Sequence, residues 1–312
     1  MKAVVTGAAG FIGSHLTESL LADGLQVVGV DAFVDYYPRE VKERNLATAR
    51  GHRSFRLVEG SVQDMDLARV LDGASQVFHL AAQAGVRASW GRDFAVYTDN
   101  NVLATQRLLE ACVAARVPRL VFASSSSVYG DAASLPLQEQ TACRPVSPYG
   151  VTKLAAEHLA NLYHSNMGLP VVSLRYFTVY GPRQRPDMAF HRFLRAAREG
   201  SAIRLFGDGR QTRDFTYIDD IVAATRAAGN SGPPGGVYNV GGGERVALSD
   251  VIGRIERVTG CRLEVIREDA QKGDMKDTFA DTSAARRDLG FRSTVTLDEG
   301  LAREWDWIRG QA

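Results

Sequence analysis

The order of apolar runs in the chain predicts an α/β fold: a doubly wound parallel sheet with a smaller α/β C-terminal lobe. Three observations lead there. Short β-branched runs recur through the first 177 residues, segments of helical length separate them, and a glycine-spaced turn joins the first run to the first helix. The runs are 3–7, 26–31, 54–60, 76–82, 119–125 and 171–177. Each is nearly continuous in Val, Leu, Ile, Phe and Ala, as strands covered by helices on both faces must be. Helices are predicted over 12–22, closed by Asp23-Gly24, over 101–116, stopped before Pro118, and over 148–166, ending near Gly168. After about residue 177 the rhythm breaks. A Pro/Gly-rich turn at 231–236 and an amphipathic stretch at 297–308 predict the smaller lobe. The expected division is 1–177 for the sheet domain, with about 215–245 returning to it, and 178–312 for a second lobe interleaved with the first.

The bulk numbers narrow the partners. The 312 residues are 45% hydrophobic, enough for a substantial core. Lys+Arg of 37 against Asp+Glu of 36 leaves a net charge of +1 with no basic block, so a small molecule is the expected partner and nucleic acid is not. The apolar run after Lys2 ends at Thr6-Gly7, too short for a signal-peptide core, and no run reaches membrane-spanning length; a cytoplasmic location is expected. Cys112, Cys143 and Cys261 are odd in number and far apart, against a disulfide framework or a thiolate zinc site.

The first run enters TGAAGFIG, which spaces Gly7, Gly10 and Gly13 around Phe11 and Ile12. Glycines there allow a tight turn, close approach to a pyrophosphate and close helix packing, with the helix N-terminus facing the anion. Asp31 ends the next run, where a carboxylate accepts ribose hydroxyls and repels a 2′-phosphate. The expected cofactor is NAD. Further on, Tyr149 and Lys153 in SPYGVTK lie four apart on one helix face. A tyrosine hydroxyl ionises near pH ~10 in water, and a nearby ammonium is expected to lower that value, making Tyr149 a base for a substrate hydroxyl.

On these residues, together with VFHLAAQAGV, NNVLAT, SSSSVYG, RYFTVYGPRQRPDMA, FGDGRQTRDFTYIDD and YNVGGG, nearly the whole chain resembles the extended short-chain dehydrogenase/reductases, specifically the NAD-dependent nucleotide-sugar epimerases and dehydratases. The resemblance implies a Rossmann domain, a retained NAD and a lobe that binds a nucleotide diphosphate-sugar. It implies that Ser125 hydrogen-bonds the reacting C4 hydroxyl. Where similar 4,6-dehydratases carry Asp and Glu, this chain has Ser126 and Ser127, so elimination lacks its acid and base. The stretch with Thr178, Arg183 and Arg185 resembles UDP-glucuronate 4-epimerases. Ser126, Ser127 and Thr178 hydroxyls with the Arg185 guanidinium fork suit a sugar carboxylate better than a neutral CH2OH. Such donors also hold the carboxylate out of alignment with a C4 ketone and slow its loss as CO2.

The expected reaction is therefore 4-epimerisation of UDP-glucuronate to UDP-galacturonate through a 4-keto sugar, without decarboxylation. The rivals are a UDP-glucose or UDP-N-acetylglucosamine 4-epimerase, a nucleotide-sugar dehydrogenase and a non-catalytic dinucleotide sensor. Matching motifs imply further NAD contacts at Ser61, Val62, Leu80, Ala81, Ala82, Asn101 and Tyr176, with Ser61 where the family usually has Asp. They imply diphosphate contacts at Arg87 and Arg213 and a ribose contact at Asp274, while Gln271 replaces an arginine of some relatives. Among the six histidines, His79 is expected to fill core space and His191 to wall the pocket; no metal site is expected. Trp305 and Trp307 are read as packing residues. Apolar faces on 101–116 and 149–166 suggest a homodimer paired through a four-helix bundle, as in the family.

Overall fold

The computed structural model describes residues 1–131, 134–269 and 271–311. Strands β1 (Lys2–Thr6), β2 (Gln26–Asp31), β3 (Phe55–Glu59), β4 (Gln76–His79), β5 (Leu120–Ser125) and β6 (Val171–Tyr176) lie near the sequence expectations. They form a parallel sheet in the order β10-β6-β5-β4-β1-β2-β3, whose edge strand β10 (Val237–Val240) comes from the second half of the chain. The order turns at β1, which pairs with β2 on one side and β4 on the other. A crevice opens at such a switch point beyond the strands' C-terminal ends.

Alternation along the strands separates two cores. Ala3 and Val5 of β1 pack with α1 (Phe11–Ala22) and its neighbours, whereas Val4 packs with Leu108, Leu109 and Cys112 of α2 (Ala104–Ala114) and with Ala156 and Ala160 of α3 (Pro148–Met167). Covering both faces is why these strands read as continuous apolar runs. The Ser147 hydroxyl accepts from Gly150 N–H to start α3, and Gly168, at φ 69°, ends it in the left-handed region.

The remaining strands are β7 (Thr178–Tyr180), β8 (Ile203–Phe206), β9 (Thr212–Tyr217), β11 (Glu244–Ala247) and β12 (Val265–Glu268). They make a three-stranded sheet, β11-β9-β7, and a parallel pair, β12-β8. Around them lie α4 (Ala189–Glu199), α6 (Leu248–Thr259) and α7 (Leu297–Arg309), the last opened by a Thr296/Glu299 capping box, while α5 (Ile218–Ser231) returns to the main sheet and packs against α1. Trp305 and Trp307 pack against the core. Among the described residues no helix is long and apolar enough to cross a membrane, and the three cysteines are free.

Two elements depart from expectation. The strand predicted over 76–82 stops at His79: Leu80 N–H still makes the ladder bond to Thr6 O, but Ala81 N–H goes to the Thr6 hydroxyl instead of a backbone partner. The helix predicted from residue 101 begins as a π-helical segment, Thr98–Leu103, before α2. A π segment shifts the faces that its side chains present, and such segments gather at functional sites.

Candidate active site

Two concavities meet over the C-terminal ends of β1, β4 and β5. The first is a groove lined by Gly7, Gly10, Phe11, Ile12 and Gly13, by Asp31, Ser61 and Val62, by Leu80, Ala81 and Ala82, and by Tyr149, Lys153 and Tyr176. Its floor needs bare backbone. A Cβ on Gly13 would lie 2.0 Å from Gly7 O, and one on Gly7, itself at φ 72°, would meet Ala81 N at 2.8 Å. Helix α1 starts at Gly10 without a side-chain cap, so its N-terminal N–H groups face the groove's anion position. Asp31 accepts one backbone N–H on each oxygen, from Ala9 and Phe33, both at 2.9 Å, leaving a lone pair on each for a hydroxyl. Arg39 is engaged by Glu43 and Glu59. This cradle of glycine, helix terminus and acid fits a dinucleotide.

The groove corrects one expected contact. Asn101 does not line it: its amide donates to Gln83 O and to the Thr152 hydroxyl, each at 3.0 Å, and accepts from Gln83 N–H at 2.7 Å. Asn101 is thus buried in a tie between the β4 loop and α3, and the π segment turns Asn100 to the groove instead. Gln83 and Ser124, inside the quoted VFHLAAQAGV and SSSSVYG, also line the groove, as do Tyr36, Tyr37 and Lys42, which no motif marks.

The second concavity, a cavity of about 530 Å³, is lined by Arg87, Ser125, Ser126, Ser127, Thr178, Arg185, Arg213 and Asp274. Tyr149, Tyr176, Ser124 and Arg185 belong to both walls. Ser126 is buried at the first turn beyond β5, and the Ser125 hydroxyl accepts from Ser127 N–H at 3.2 Å, which fixes how the serine row faces the cavity. At the cavity mouth Arg87 and Asp274 pair with each other at 2.7 Å, and Arg87 stacks 4.1 Å from the Phe206 ring centroid. Arg213 donates to the carbonyls of Met275 and Lys276 and so staples the 275–276 segment to β9.

Of the two arginines in this stretch, the one expected at the sugar carboxylate, Arg185, lines the cavity. Arg183, at φ 65°, turns away to Glu18 at 2.9 Å, leaving Arg185 on the wall. His191 is likewise no wall of this cavity; it is buried against Trp307, ring centroids 5.9 Å apart. Gln271 donates to Asp269 O and is not part of the wall. His79 is in the core as expected, bonded to the Thr6 and Thr105 hydroxyls, and burial with the Lys153 charge lowers its pKa to about 3. Among the described residues no group of side chains is placed to hold a metal ion.

Electrostatics at the junction also differ from expectation. Burial raises the Tyr149 pKa, opposed by a hydrogen bond from Ser125 and by the Arg185 charge. The Lys153 ammonium donates to Ala123 O at 2.5 Å and lies 4.6 Å from the Phe122 ring centroid. Burial lowers the Lys153 pKa to about 8, with Glu157 pulling it back up. Glu157 is itself fully paired. It accepts from the Ser124 hydroxyl at 2.5 Å and from Arg175 at 2.6 and 3.0 Å, and Arg175 reaches on to the Tyr129 hydroxyl. A buried polar network thus braces α3 against the serine strand from behind.

Comparison with known proteins agrees with this geometry. The family model described as "NAD dependent epimerase/dehydratase family" matches residues 3–241. A solved UDP-glucuronic acid 4-epimerase from Bacillus cereus, in complex with UDP-glucuronic acid and NAD, is 44% identical; 99% of each chain is covered, with a TM-score of 0.97. An uncharacterized UDP-glucose epimerase of Bacillus subtilis is 44% identical, covering 97% of this chain and 96% of the relative. A UDP-glucuronate 4-epimerase of Thermodesulfobacterium geofontis is 38% identical, with 98% and 95% covered.

Proposed function

The chain belongs to the NAD dependent epimerase/dehydratase family, and from that membership we propose that it converts UDP-glucuronate to UDP-galacturonate at C4 and retains the sugar carboxylate. One observation carries the choice of substrate: the Ser126, Ser127 and Thr178 hydroxyls and the Arg185 guanidinium line the same cavity as Tyr149, with Ser126 and Ser127 at the two positions a 4,6-dehydratase would fill with an acid and a base.

NAD is the cofactor, held in this reading by the Gly7–Gly13 turn, the α1 terminus and Asp31; when bound it takes up a hydride from sugar C4 and returns it. Tyr149 receives the C4 hydroxyl proton on oxidation and gives it back on reduction. Ser125, bonded to the Tyr149 hydroxyl, orients the C4 oxygen and favours the phenolate against burial. Lys153 lies on the cofactor side of Tyr149, anchored by Ala123 O, and carries its charge below about pH 8. Arg87, Arg213 and Asp274 bind the nucleotide diphosphate end while the keto sugar turns over between two reductions. The serine and threonine hydroxyls donate to the carboxylate and keep its C–C bond from aligning with the C4 ketone.

A neutral-sugar reading, 4-epimerisation of UDP-glucose, is favoured by one feature: Asp187 already engages Arg185 through two hydrogen bonds. Proton NMR of UDP-glucuronate incubated with the protein, no NAD added, separates the two. Growth of UDP-galacturonate signals without net NADH is the expected result. An unchanged spectrum from NAD-containing protein would overturn the acid-sugar reading and point to UDP-glucose.

In the same reading the protein is a cytoplasmic homodimer, and 1–177 with about 215–245 acts as the NAD-binding unit against the sugar-binding remainder of 178–312. Leu103 before α2 and Val151, Leu162 and Met167 on α3 are exposed, a face suited to pairing with a second copy. Light scattering at twice the 33.9 kDa chain mass is the expected result.

A further inference from the structure

Arg185 is not a free cation waiting for a substrate. In the turn after β7, its Nε donates to Asp187 Oδ1 at 3.0 Å and its Nη2 to Oδ2 at 2.9 Å. From the loop after β2, the Tyr36 hydroxyl donates to Asp187 Oδ2 at 3.3 Å, and the Tyr36 ring centroid lies 5.9 Å from the guanidinium carbon. Arg185, Asp187 and Tyr36 all line the substrate cavity beside Tyr149. The Arg185 side chain is 23% exposed and Asp187 40%, so the acid is the more open partner. Of the five guanidinium N–H groups Asp187 takes two, along the Nε–Nη2 edge, and the Nη1–Nη2 edge remains.

The proposed reaction makes a particular demand on this pair. Between its two hydride transfers the keto sugar must show its opposite face, so a carboxylate on C5 cannot stay in one salt bridge throughout. Breaking an arginine–carboxylate pair inside a cavity leaves a poorly solvated charge, which is costly unless another anion takes its place. A carboxylate tethered two residues away is present at high effective concentration and serves that need.

We propose that Asp187 is the exchange partner of the substrate carboxylate on Arg185, yielding part of the guanidinium when the sugar docks and reclaiming it when the sugar turns. This rests on the acid-sugar reading above. Asp187 is in this sense a positioning residue: it touches neither C4 nor the cofactor, and it acts through Arg185. The consequence is opposite in sign to that of an ordinary binding residue. Removing the Asp187 charge leaves Arg185 uncompensated, so the acid sugar binds more tightly and turns more slowly.

The test uses the full-length, NAD-containing protein and compares wild type with Asp187→Asn and Asp187→Glu. Titration calorimetry with UDP-glucuronate gives the affinity, and NMR turnover of UDP-glucuronate and UDP-glucose gives kcat and KM. For Asp187→Asn we expect UDP-glucuronate to bind about tenfold more tightly with kcat about tenfold lower, the scale of a local charge pair. Any turnover of UDP-glucose should change little, and Asp187→Glu should recover most of the lost kcat. Weaker binding of UDP-glucuronate, equal losses on both sugars, or no change in either parameter overturns the exchange. Wild-type protein that leaves UDP-glucuronate unconverted overturns the functional reading and the exchange together, so the two failures are told apart before any variant is made.

Discussion

The cofactor groove is made mostly by contiguous backbone: β1, its glycine turn and α1 follow one another within 22 residues, and Asp31 ends the strand paired with β1. The substrate cavity is assembled the other way. Its wall joins Arg87 to Asp274 and staples Arg213 to the 275–276 segment, partners far apart in the chain, through side-chain ion pairs and hydrogen bonds. The difference suits their tasks. A cofactor that stays bound fits a preformed cradle, where no side chain has to be ordered on binding. A sugar that must turn over needs contacts that can be exchanged, and ion pairs such as Arg185–Asp187 and Arg87–Asp274 can change partners without refolding the backbone.

The largest expected effect lies where the two regions meet. Tyr149→Phe keeps the ring and its edge contact with Tyr97 but removes the proton acceptor, so kcat should fall by about a thousandfold or more while NAD stays bound. Turnover and the nucleotide released on denaturation check both halves; a loss of NAD would mean that Tyr149 belongs to the cradle as well. Next is the brace behind the junction. Glu157→Ala leaves Arg175 buried without its carboxylate, with an expected loss of about 3–5 kcal/mol in urea unfolding.

Arg185→Ala tests the cation shared by the groove and the cavity. It should weaken UDP-glucuronate binding by about ten- to a hundredfold and leave UDP-glucose little affected, the size of a charge-assisted contact. Equal loss on both sugars would show Arg185 to be part of the frame instead.

Two pH effects close the series. The His79 pKa is depressed to about 3 in the fold against 6.5 in an open chain, so the unfolded state takes up the proton first. Its share of stability is full above about pH 6.5 and falls as the pH drops toward 3, by about 2 kcal/mol at pH 5. Urea midpoints between pH 7 and 5 measure this, and His79→Asn should flatten the dependence. Lys153, lowered to about 8, loses its charge above that pH, so kcat/KM should decline on the alkaline side; Glu157→Gln removes a charge that favours the ammonium and should move that limb to lower pH.

Particular residues show how far a one-dimensional reading reaches. Gly7, Gly13 and Asp31 were legible because their work is local: a turn, a close approach and a strand end, each within one βαβ unit. Asn101 was misplaced because a motif match carries no phase, and the π segment at 98–103 rotates its neighbour Asn100 into the groove. The resemblance assigns Arg185 to the sugar carboxylate, and it lines the cavity, while a left-handed backbone at Arg183 sends that side chain to Glu18. Helical spacing brings Tyr149 and Lys153 to one face and says nothing of what else that face meets. Here burial raises one pKa and lowers the other, and Ala123 O takes the ammonium.

By itself the sequence determined the parallel sheet, the glycine cradle, the NAD preference and the replacement of a dehydratase's acid and base by Ser126 and Ser127, since these depend on residue type and on spacing within an element. Only the tertiary structure decided that Arg183 turns to Glu18, that Arg87 meets Asp274 and that Asp187 holds Arg185. Charges pair according to distance and burial, and both are set by loops whose ends the fold brings together across the chain.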